Sequence, residues 1–109
     1  MRQYEIRWAA MPPPIGRRPV MLLSRDAAFS YLNKVIVAEV TATVRNIPQE
    51  VALDGIEGLS QPSVVNFDNV HVIAKARVGA RIGALDASRV HETKRALGYA
   101  LDWPELKVL

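Results

Sequence analysis

Short stretches typical of β-strands alternate along the chain with stretches rich in turn-forming residues. Residues 4–8 alternate apolar and polar with a period of two, which predicts a half-buried strand. Residues 18–24 form a short apolar run typical of a strand buried on both faces, and the β-branched run over 34–41 predicts a central strand. Three prolines and a glycine within 11–16 predict a turn between the first two strands, and residues 26–32 favour a short helical turn.

The second half of the chain continues in short strands and closes on a helix. Two further strands are predicted over 63–66 and 70–74, joined through residues 67–69. Asp86 is a suitable N-cap for a helix over 87–101, whose apolar residues recur at helical spacing. A proline soon after that helix prevents its continuation.

These elements together predict the fold class. About six short strands, a short helix after the second strand and a C-terminal helix are typical of a mostly β (α+β) protein, a small β barrel. The 109 residues allow one domain, so residues 1–109 are expected to form a single unit.

The composition excludes several kinds of site. Cysteine is absent, which rules out a disulfide framework, a thiolate zinc site and a cysteine nucleophile. With only two histidines we expect no metal site, and nothing in the sequence calls for a cofactor. No apolar run approaches the roughly 20 residues that span a membrane, and the N-terminus has charges where a signal peptide needs its apolar core. A soluble, cytoplasmic protein is therefore expected.

The charge is unevenly distributed along the chain. Fourteen basic residues against eleven acidic ones give a net charge of +3. Residues 1–25 carry five arginines and one glutamate, residues 50–68 carry only acids, and residues 69–85 carry three basic residues and no acid. If the two basic stretches adjoin in the fold, they form a surface suited to phosphate. Alternatively they are ordinary solvated strand faces, because +3 is far from the charge of a dedicated nucleic-acid binder.

Three local patterns carry a family resemblance. They are G-R-R-P-V at 16–20, V-A-E-V-T-A-T at 37–43 and S-V-V-N-F-D-N-V at 63–70. Their order and spacing resemble the MazF/PemK (Kid) family of toxin endoribonucleases from type II toxin–antitoxin modules. The resemblance implies an SH3-like barrel, a homodimer, and metal-independent cleavage of single-stranded RNA at short sequences. It also implies a cognate MazE-like antitoxin whose acidic, partly disordered tail occupies the RNA groove.

The resemblance assigns the catalytic pair to Arg18 and Thr41, the motif arginine and the threonine that ends the third strand. The chemistry agrees, because a guanidinium presents paired donors that match phosphate oxygens and a hydroxyl can bind or orient a reacting oxygen. Pro19 restricts Arg18 to extended backbone. Each residue also has an ordinary structural explanation, since a strand-edge arginine discourages aggregation and threonine favours strands.

Weaker predictions concern the residues around this pair. Arg17 should point away from Arg18 if both lie in a strand. Each of the other residues is at least as readily a solvated or turn residue. The predicted RNA-binding set is Arg17, Arg25, Asn33, Arg45, Asp68, Asn69 and Lys75. The aromatic residues expected in the core are Tyr4, Trp8 and Phe29.

The first loop departs from the family pattern. Relatives of this kind commonly carry a longer loop with polar residues there, whereas residues 9–16 contain no acid. The general base is therefore left open between Asp68, Glu39, a backbone carbonyl, water, or no base at all. His71 should face away from the core, and a histidine pair with His91 is disfavoured because His91 belongs to the terminal helix.

Two other functions stay open at this point. A gyrase-binding toxin of the CcdB type shares the fold and acts through a C-terminal tryptophan; Trp103 lies near the end of this chain, although it is expected to pack the helix terminus. The other alternative is a catalytically weakened SH3-like binding module, which the missing loop acid favours and the intact Arg18 and Thr41 oppose.

Overall fold

The protein folds around one antiparallel sheet of six strands. A computed structural model describes all of residues 1–109. The sheet has the strand order β4-β5-β3-β2-β1-β6 and curls into a half-barrel. The strands and helices are β1 (Glu5–Met11), β2 (Gly16–Leu22), α1 (Ala28–Tyr31), β3 (Lys34–Thr41), β4 (Glu50–Leu53), β5 (Ser63–Ala74), β6 (Val78–Ala84), α2 (Val90–Ala100) and α3 (Pro104–Lys107), with 3₁₀ turns at Gly55–Glu57, Lys75–Arg77 and Ala87–Arg89.

The predicted fold class and most of the predicted elements are confirmed. Strand β3 has the predicted bounds, and β1 and β2 are joined by a tight turn of four residues over 12–15. The Asp86 side chain accepts a hydrogen bond from the Ser88 amide at 3.0 Å and so caps the 3₁₀ turn that leads into α2. The regular α-helix therefore starts at Val90, three residues later than predicted.

The predicted break between two strands at 67–69 is wrong. Strand β5 runs without interruption from Ser63 to Ala74. Its pairing with β3 jumps from Glu39↔Asn66 to Ala38↔Val70, so residues 67–69 form a bulge rather than a turn. Polar residues in a bulge resemble a connecting turn in sequence, which explains the error.

Strand β6 and helix α3 were not predicted. Strand β6 has the sequence V-G-A-R-I-G-A and lacks the continuous β-branched run by which a strand is recognised. It pairs with β1, and this brings the two basic stretches of the chain side by side. Helix α3 packs on α2 at Gly98, where an added Cβ would lie 2.6 Å from the Leu106 Cβ.

Two apolar clusters occupy opposite faces of the central strands. One includes Met21, Ala38 and Val40 and is covered by α2 through Ala96. The other alternates with it along the same strands; its members are Ala9, Met11, Val20, Leu22, Phe29, Val35, Val37 and Ile73. Phe29 is thus a core residue as predicted, and β3 contributes to both clusters.

A buried ion-pair network fixes the start of β1 against β6. The Glu5 side chain accepts hydrogen bonds from the Arg2 amide at 2.8 Å, Arg7 Nε at 3.1 Å and Arg81 Nε at 2.9 Å. Burial alone would raise the pKa of Glu5, but the hydrogen bonds from Arg2, Arg7 and Arg81 outweigh it and hold the pKa below its ordinary value. One of the two basic charges is therefore compensated internally.

No helix of the protein is both long and apolar enough to cross a membrane; the longest, α2, has 11 residues.

The two glycines of β6 should respond differently to alanine. A Cβ at Gly83 would lie 1.9 Å from the Glu57 carbonyl oxygen, whereas one at Gly79 would lie 3.5 Å from that of Trp8. Because a backbone oxygen cannot move aside cheaply, Gly83→Ala should cost about 2 kcal/mol of unfolding free energy or more. Gly79→Ala should change it by no more than about 0.5 kcal/mol. Urea unfolding measures both, and equal effects would contradict the described packing of β6.

The Glu5 network predicts a pH dependence of stability. A carboxylate whose pKa is lowered by folding stabilises the native state above its unfolded pKa, near 4.5, and this stabilisation is lost as the pH falls through the folded pKa. Glu5→Gln should therefore cost about 1 kcal/mol at pH 7 and little near pH 3. Thermal unfolding of both proteins across this range provides the measurement. A difference that persists unchanged at pH 3 would show that the charge of Glu5 is not the cause.

Candidate active site

Arg18 and Thr41 line one cleft. The cleft lies where β2 begins and β3 ends and has a volume of about 230 Å³. All of its lining side chains are polar: Arg18, Thr41, Thr43, Arg45, Asn66 and Asn69. None of the residues that line the cleft is hydrophobic, so Arg18 and Thr41 share one polar surface.

The register of the sheet explains why the two side chains meet. Strands β2 and β3 pair through Val20↔Glu39, and both Arg18 and Thr41 lie two residues beyond this pair. Two residues along a strand return to the same face, so Arg18 and Thr41 continue the face to which Val20 belongs. On that face, the apolar cluster is thus followed by polar residues where β2 begins and β3 ends.

A buried glutamate holds the arginine. The Arg18 Nη1 donates to Glu39 Oε1 at 3.1 Å, and Glu39 Oε2 lies 2.5 Å from His71 Nε2. Glu39 is only 7% exposed, whereas the side chains of Arg18 and His71 are partly accessible. One guanidinium N–H is thereby used inside the protein, and the rest of the donor fork is left for a ligand.

The loop after β3 presents the threonine hydroxyl and a second arginine. The Thr41 Oγ1 accepts a hydrogen bond from the Thr43 amide at 3.1 Å, which leaves the hydroxyl proton free to be donated. The Glu50 carboxylate accepts hydrogen bonds from the amides of Arg45 and Asn46 and so ties this loop to β4. The Arg45 side chain lines the cleft as a result.

Only some of the predicted RNA-binding residues reach the cleft. Arg45 and Asn69 line it. Asp68 is exposed in the β5 bulge and does not line the cleft, although it is close in sequence. Arg17 points away from Arg18, as expected, and its guanidinium lies over the Trp8 ring at 4.0 Å from the centroid.

The other three predicted residues lie at the opposite end of β3. The Lys75 amide donates to the Asn33 carbonyl at 2.8 Å, next to the pair Lys34↔Ala74. Arg25 donates to the Tyr31 hydroxyl near the same end. Strand β3 is eight residues long, roughly 25 Å, and Thr41 is at its other end, so the structure does not bring Arg25, Asn33 and Lys75 together with Arg18 and Thr41.

Two cleft residues were missed by the sequence analysis. Asn66 is 5% exposed, lines the cleft and accepts a hydrogen bond from the Asp68 amide at 2.8 Å. Thr43 lines it as well. Asn66 ends an apolar run, where asparagine is an unusual strand residue. Both residues also lie within the patterns that carry the family resemblance, Asn66 in 63–70 and Thr43 in 37–43, and this was the further signal available.

A larger cavity adjoins the cleft on the other side of Thr41. Its volume is about 460 Å³, and Trp8, Pro19 and Gln61 are among its lining residues. Trp8 is half-buried and borders this cavity, so its predicted place in the core is wrong. Tyr4 packs partly buried against the cluster under α2, as expected.

The cleft is chemically a site for an anion. Two guanidinium groups, two hydroxyls and two amides line it, and no carboxylate does. No group of three histidine or acidic side chains in the structure could hold a metal ion. Hydrogen-bond donors and positive charge at the end of a rigid sheet define a small β protein able to bind a phosphate group.

Comparison with known proteins identifies the family. Residues 2–101 match the profile of the PemK-like, MazF-like toxins of type II toxin–antitoxin systems. Endoribonuclease MazF3 of Mycobacterium tuberculosis is 43% identical over 88 residues, which are 79% of this chain and 85% of the relative. The solved structure of the Mycobacterium tuberculosis toxin MazF-mt6 is 39% identical, with a TM-score of 0.85 over 90% of this chain and 96% of its own.

A further structure, a mycobacterial endoribonuclease in complex with its cognate antitoxin, has a TM-score of 0.81 over 95% of this chain and 97% of its own. At 24% identity this similarity concerns the fold alone. The family profile covers nearly the whole chain, and the chain therefore belongs to the PemK/MazF toxin family.

Proposed function

We propose that this family member is an endoribonuclease toxin that cleaves single-stranded RNA, with Arg18 and Thr41 as its catalytic residues. The observation that carries the proposal is the polar cleft in which these two side chains meet. The endoribonuclease names of its relatives supply the reaction class. Residues 1–109 act as one toxin domain, supported by the single sheet that runs through them, and a cytoplasmic location is part of the proposal.

The reaction is attack of the ribose 2′-oxygen on the adjacent phosphorus. The new P–O2′ bond forms as the P–O5′ bond breaks; the 2′-hydroxyl loses its proton, and the departing 5′-oxygen gains one. The products are a 2′,3′-cyclic phosphate and a 5′-hydroxyl. Negative charge grows on the phosphoryl oxygens during this step, and the free N–H groups of Arg18 stabilise it. The Thr41 hydroxyl donates to a phosphoryl oxygen or orients the nucleophile.

Metal independence is part of the same proposal. The donors in the cleft already supply what a cation would supply, namely positive charge and fixed hydrogen bonds at the phosphate. Carboxylates, the usual protein ligands for Mg²⁺, are absent from its lining.

Neighbouring cleft residues are proposed to hold the RNA. Arg45 binds a flanking phosphate, and Asn66 and Asn69 offer amide groups to a phosphate or a base edge. The remaining predicted residues lie outside the cleft and would contact only an RNA that extends beyond it. These are Arg17, Arg25, Asn33, Asp68 and Lys75.

The antitoxin is proposed to bind the same surface. A solved relative is an endoribonuclease in complex with its cognate antitoxin. Carboxylates of an acidic, MazE-like tail would pair with the guanidinium groups of Arg18 and Arg45 and so exclude the phosphate of the substrate. The antitoxin would therefore inhibit the toxin by competing with the substrate phosphate for these two guanidinium groups.

The other two functions are less well supported. Trp103 is half exposed, and its amide donates to the Gly98 carbonyl near the end of α2 at 2.7 Å. A tryptophan at this place gives no role to Arg18 or Thr41. A weakened binding module would not need the arginine and the hydroxyl to meet. Family membership among endoribonuclease toxins favours the enzyme over both.

RNA cleavage with defined variants tests the catalytic proposal. The purified protein should cut single-stranded RNA in EDTA and leave 2′,3′-cyclic phosphate ends. Arg18→Lys keeps a cation beside Glu39 but loses the paired N–H donors of the guanidinium. Thr41→Val keeps the shape of the side chain but loses the hydroxyl. Each substitution should lower kcat about 100-fold or more. Arg95→Lys on α2 is the matched control and should cleave normally.

Primer extension on a long RNA and mass analysis of the new ends give the readout. Cleavage that requires a divalent metal would contradict the proposed chemistry. Arg18→Lys and Thr41→Val proteins that fold normally and cleave like the control would remove both residues from the active site.

A homodimer is also proposed, from an exposed apolar patch. Ile36 and Val72 pair directly across β3 and β5, Val70 lies on the same face, and Val72 is 63% exposed. Side chains of this kind on neighbouring strands favour burial against a second copy. Light scattering at micromolar concentration should give about twice the 12.1 kDa of one chain. Val72→Lys should lower the measured mass toward that of a single chain. A monomeric wild type would contradict the dimer.

A further inference from the structure

Glu39 is a buried carboxylate whose two oxygens are both engaged. Its Oε1 accepts from Arg18 Nη1 at 3.1 Å, and its Oε2 lies 2.5 Å from His71 Nε2. The three residues come from three neighbouring strands, β2, β3 and β5. A charge is expensive to bury, and an apolar residue in its place would often be at least as stabilising. The presence of a carboxylate here therefore calls for an explanation beyond stability.

Arg18 needs a restraint that the backbone does not provide. Pairing with Ala9 of β1 holds the Arg18 backbone but does not fix its side chain, and pairing between β2 and β3 already ends at Val20↔Glu39. An unrestrained arginine side chain carries about 2 kcal/mol of rotamer entropy, which would be lost only when substrate binds. The hydrogen bond to Glu39 fixes the guanidinium over the cleft before the substrate arrives.

We propose that Glu39 is the positioning residue of the catalytic arginine and that His71 fixes Glu39 in this role. This inference rests on the proposed function of Arg18. Glu39 holds one N–H of the guanidinium and directs the others toward Thr41 and the phosphate, while His71 restrains the second carboxylate oxygen from the neighbouring strand. Loss of this support would leave Arg18 present but displaced, and displacement by about 1 Å is enough to slow a reaction about 100-fold.

The same geometry argues against Glu39 as the general base. A base must be within hydrogen-bond reach of the proton that it accepts. Glu39 is buried, does not line the cleft, and has both oxygens engaged by Arg18 and His71. To accept a proton from the 2′-hydroxyl it would have to release one of its partners and approach the substrate.

The experiment compares Glu39→Ala and Glu39→Gln. Alanine removes the restraint, so kcat should fall about 100-fold while KM for a short single-stranded RNA changes much less. Glutamine keeps an acceptor for Arg18 and can donate to His71 in its other tautomer, so kcat should stay within about tenfold of the wild type. His71→Ala leaves Glu39 with one partner and should cause an intermediate loss.

Glu5→Ala and Glu5→Gln are the matched controls. Glu5, like Glu39, is a buried carboxylate with two side-chain partners; it is 8% exposed, and its partners are the guanidinium groups of Arg7 and Arg81. It lies in β1 and does not line the cleft. Its variants should lower the melting temperature as Glu39 variants do and leave kcat unchanged. An equal loss of kcat in both alanine variants would show that general destabilisation, not positioning, causes the effect.

A second readout does not depend on catalysis. Nitrogen-15 relaxation of the Arg18 Nε–H should show an ordered side chain in the wild type and a mobile one in Glu39→Ala. Normal kcat or unchanged Arg18 order in Glu39→Ala would overturn the proposal, and Glu39→Gln as inactive as Glu39→Ala would assign the base role to Glu39 instead. A wild type that cuts no RNA, combined with loss of Arg18 order in Glu39→Ala, would refute the proposed function and retain the Glu39–Arg18 restraint.

Discussion

The structure depends on one strand that is buried on both faces and ends in polar residues. Alternate residues of β3 enter two apolar clusters, so a slip of its register by one residue would exchange the two sets of side chains and turn Glu39 and Thr41 to the opposite face. The same register carries Glu39 and Thr41 to the polar end of one face. The packing that stabilises the sheet therefore also fixes where the cleft chemistry is located, and no separate loop is needed to assemble it.

The sheet also determines which charged side chains pair with one another. Buried Glu5 pairs with both Arg7 and Arg81, and buried Glu39 engages Arg18 through one N–H only. Part of the basic charge of the sequence is thus paired within the sheet, and the rest of the Arg18 donors face the cleft. This explains why a chain of net charge +3 can still present a cationic cleft: local arrangement, rather than total charge, sets the potential at the site.

The features that could be predicted from the sequence are those whose signals lie within a single segment. The bounds of β3 could be read from β-branched residues, and the turn over 12–15 from prolines, because both signals lie within the segment itself. Strand β6 could not, because it lacks a β-branched run and because one of its glycines, Gly83, lies against the distant Glu57 backbone. Trp8 was misplaced for a related reason: alternation places a side chain on a face but does not show what covers that face.

The same distinction between signals within a segment and contacts between distant segments applies to the site. Arg18 and Thr41 were identified by resemblance, since the residues alone are equally typical of an ordinary strand edge. Asn66 pairs with Glu39 across β3 and β5 and so reaches the cleft, a register that no single strand reveals. The link from Arg18 through Glu39 to His71 joins residues up to 53 positions apart and required the complete sheet order. The residues proposed to perform the chemistry could be recognised from short motifs, whereas those proposed to hold them in place become visible only when the strands are assembled.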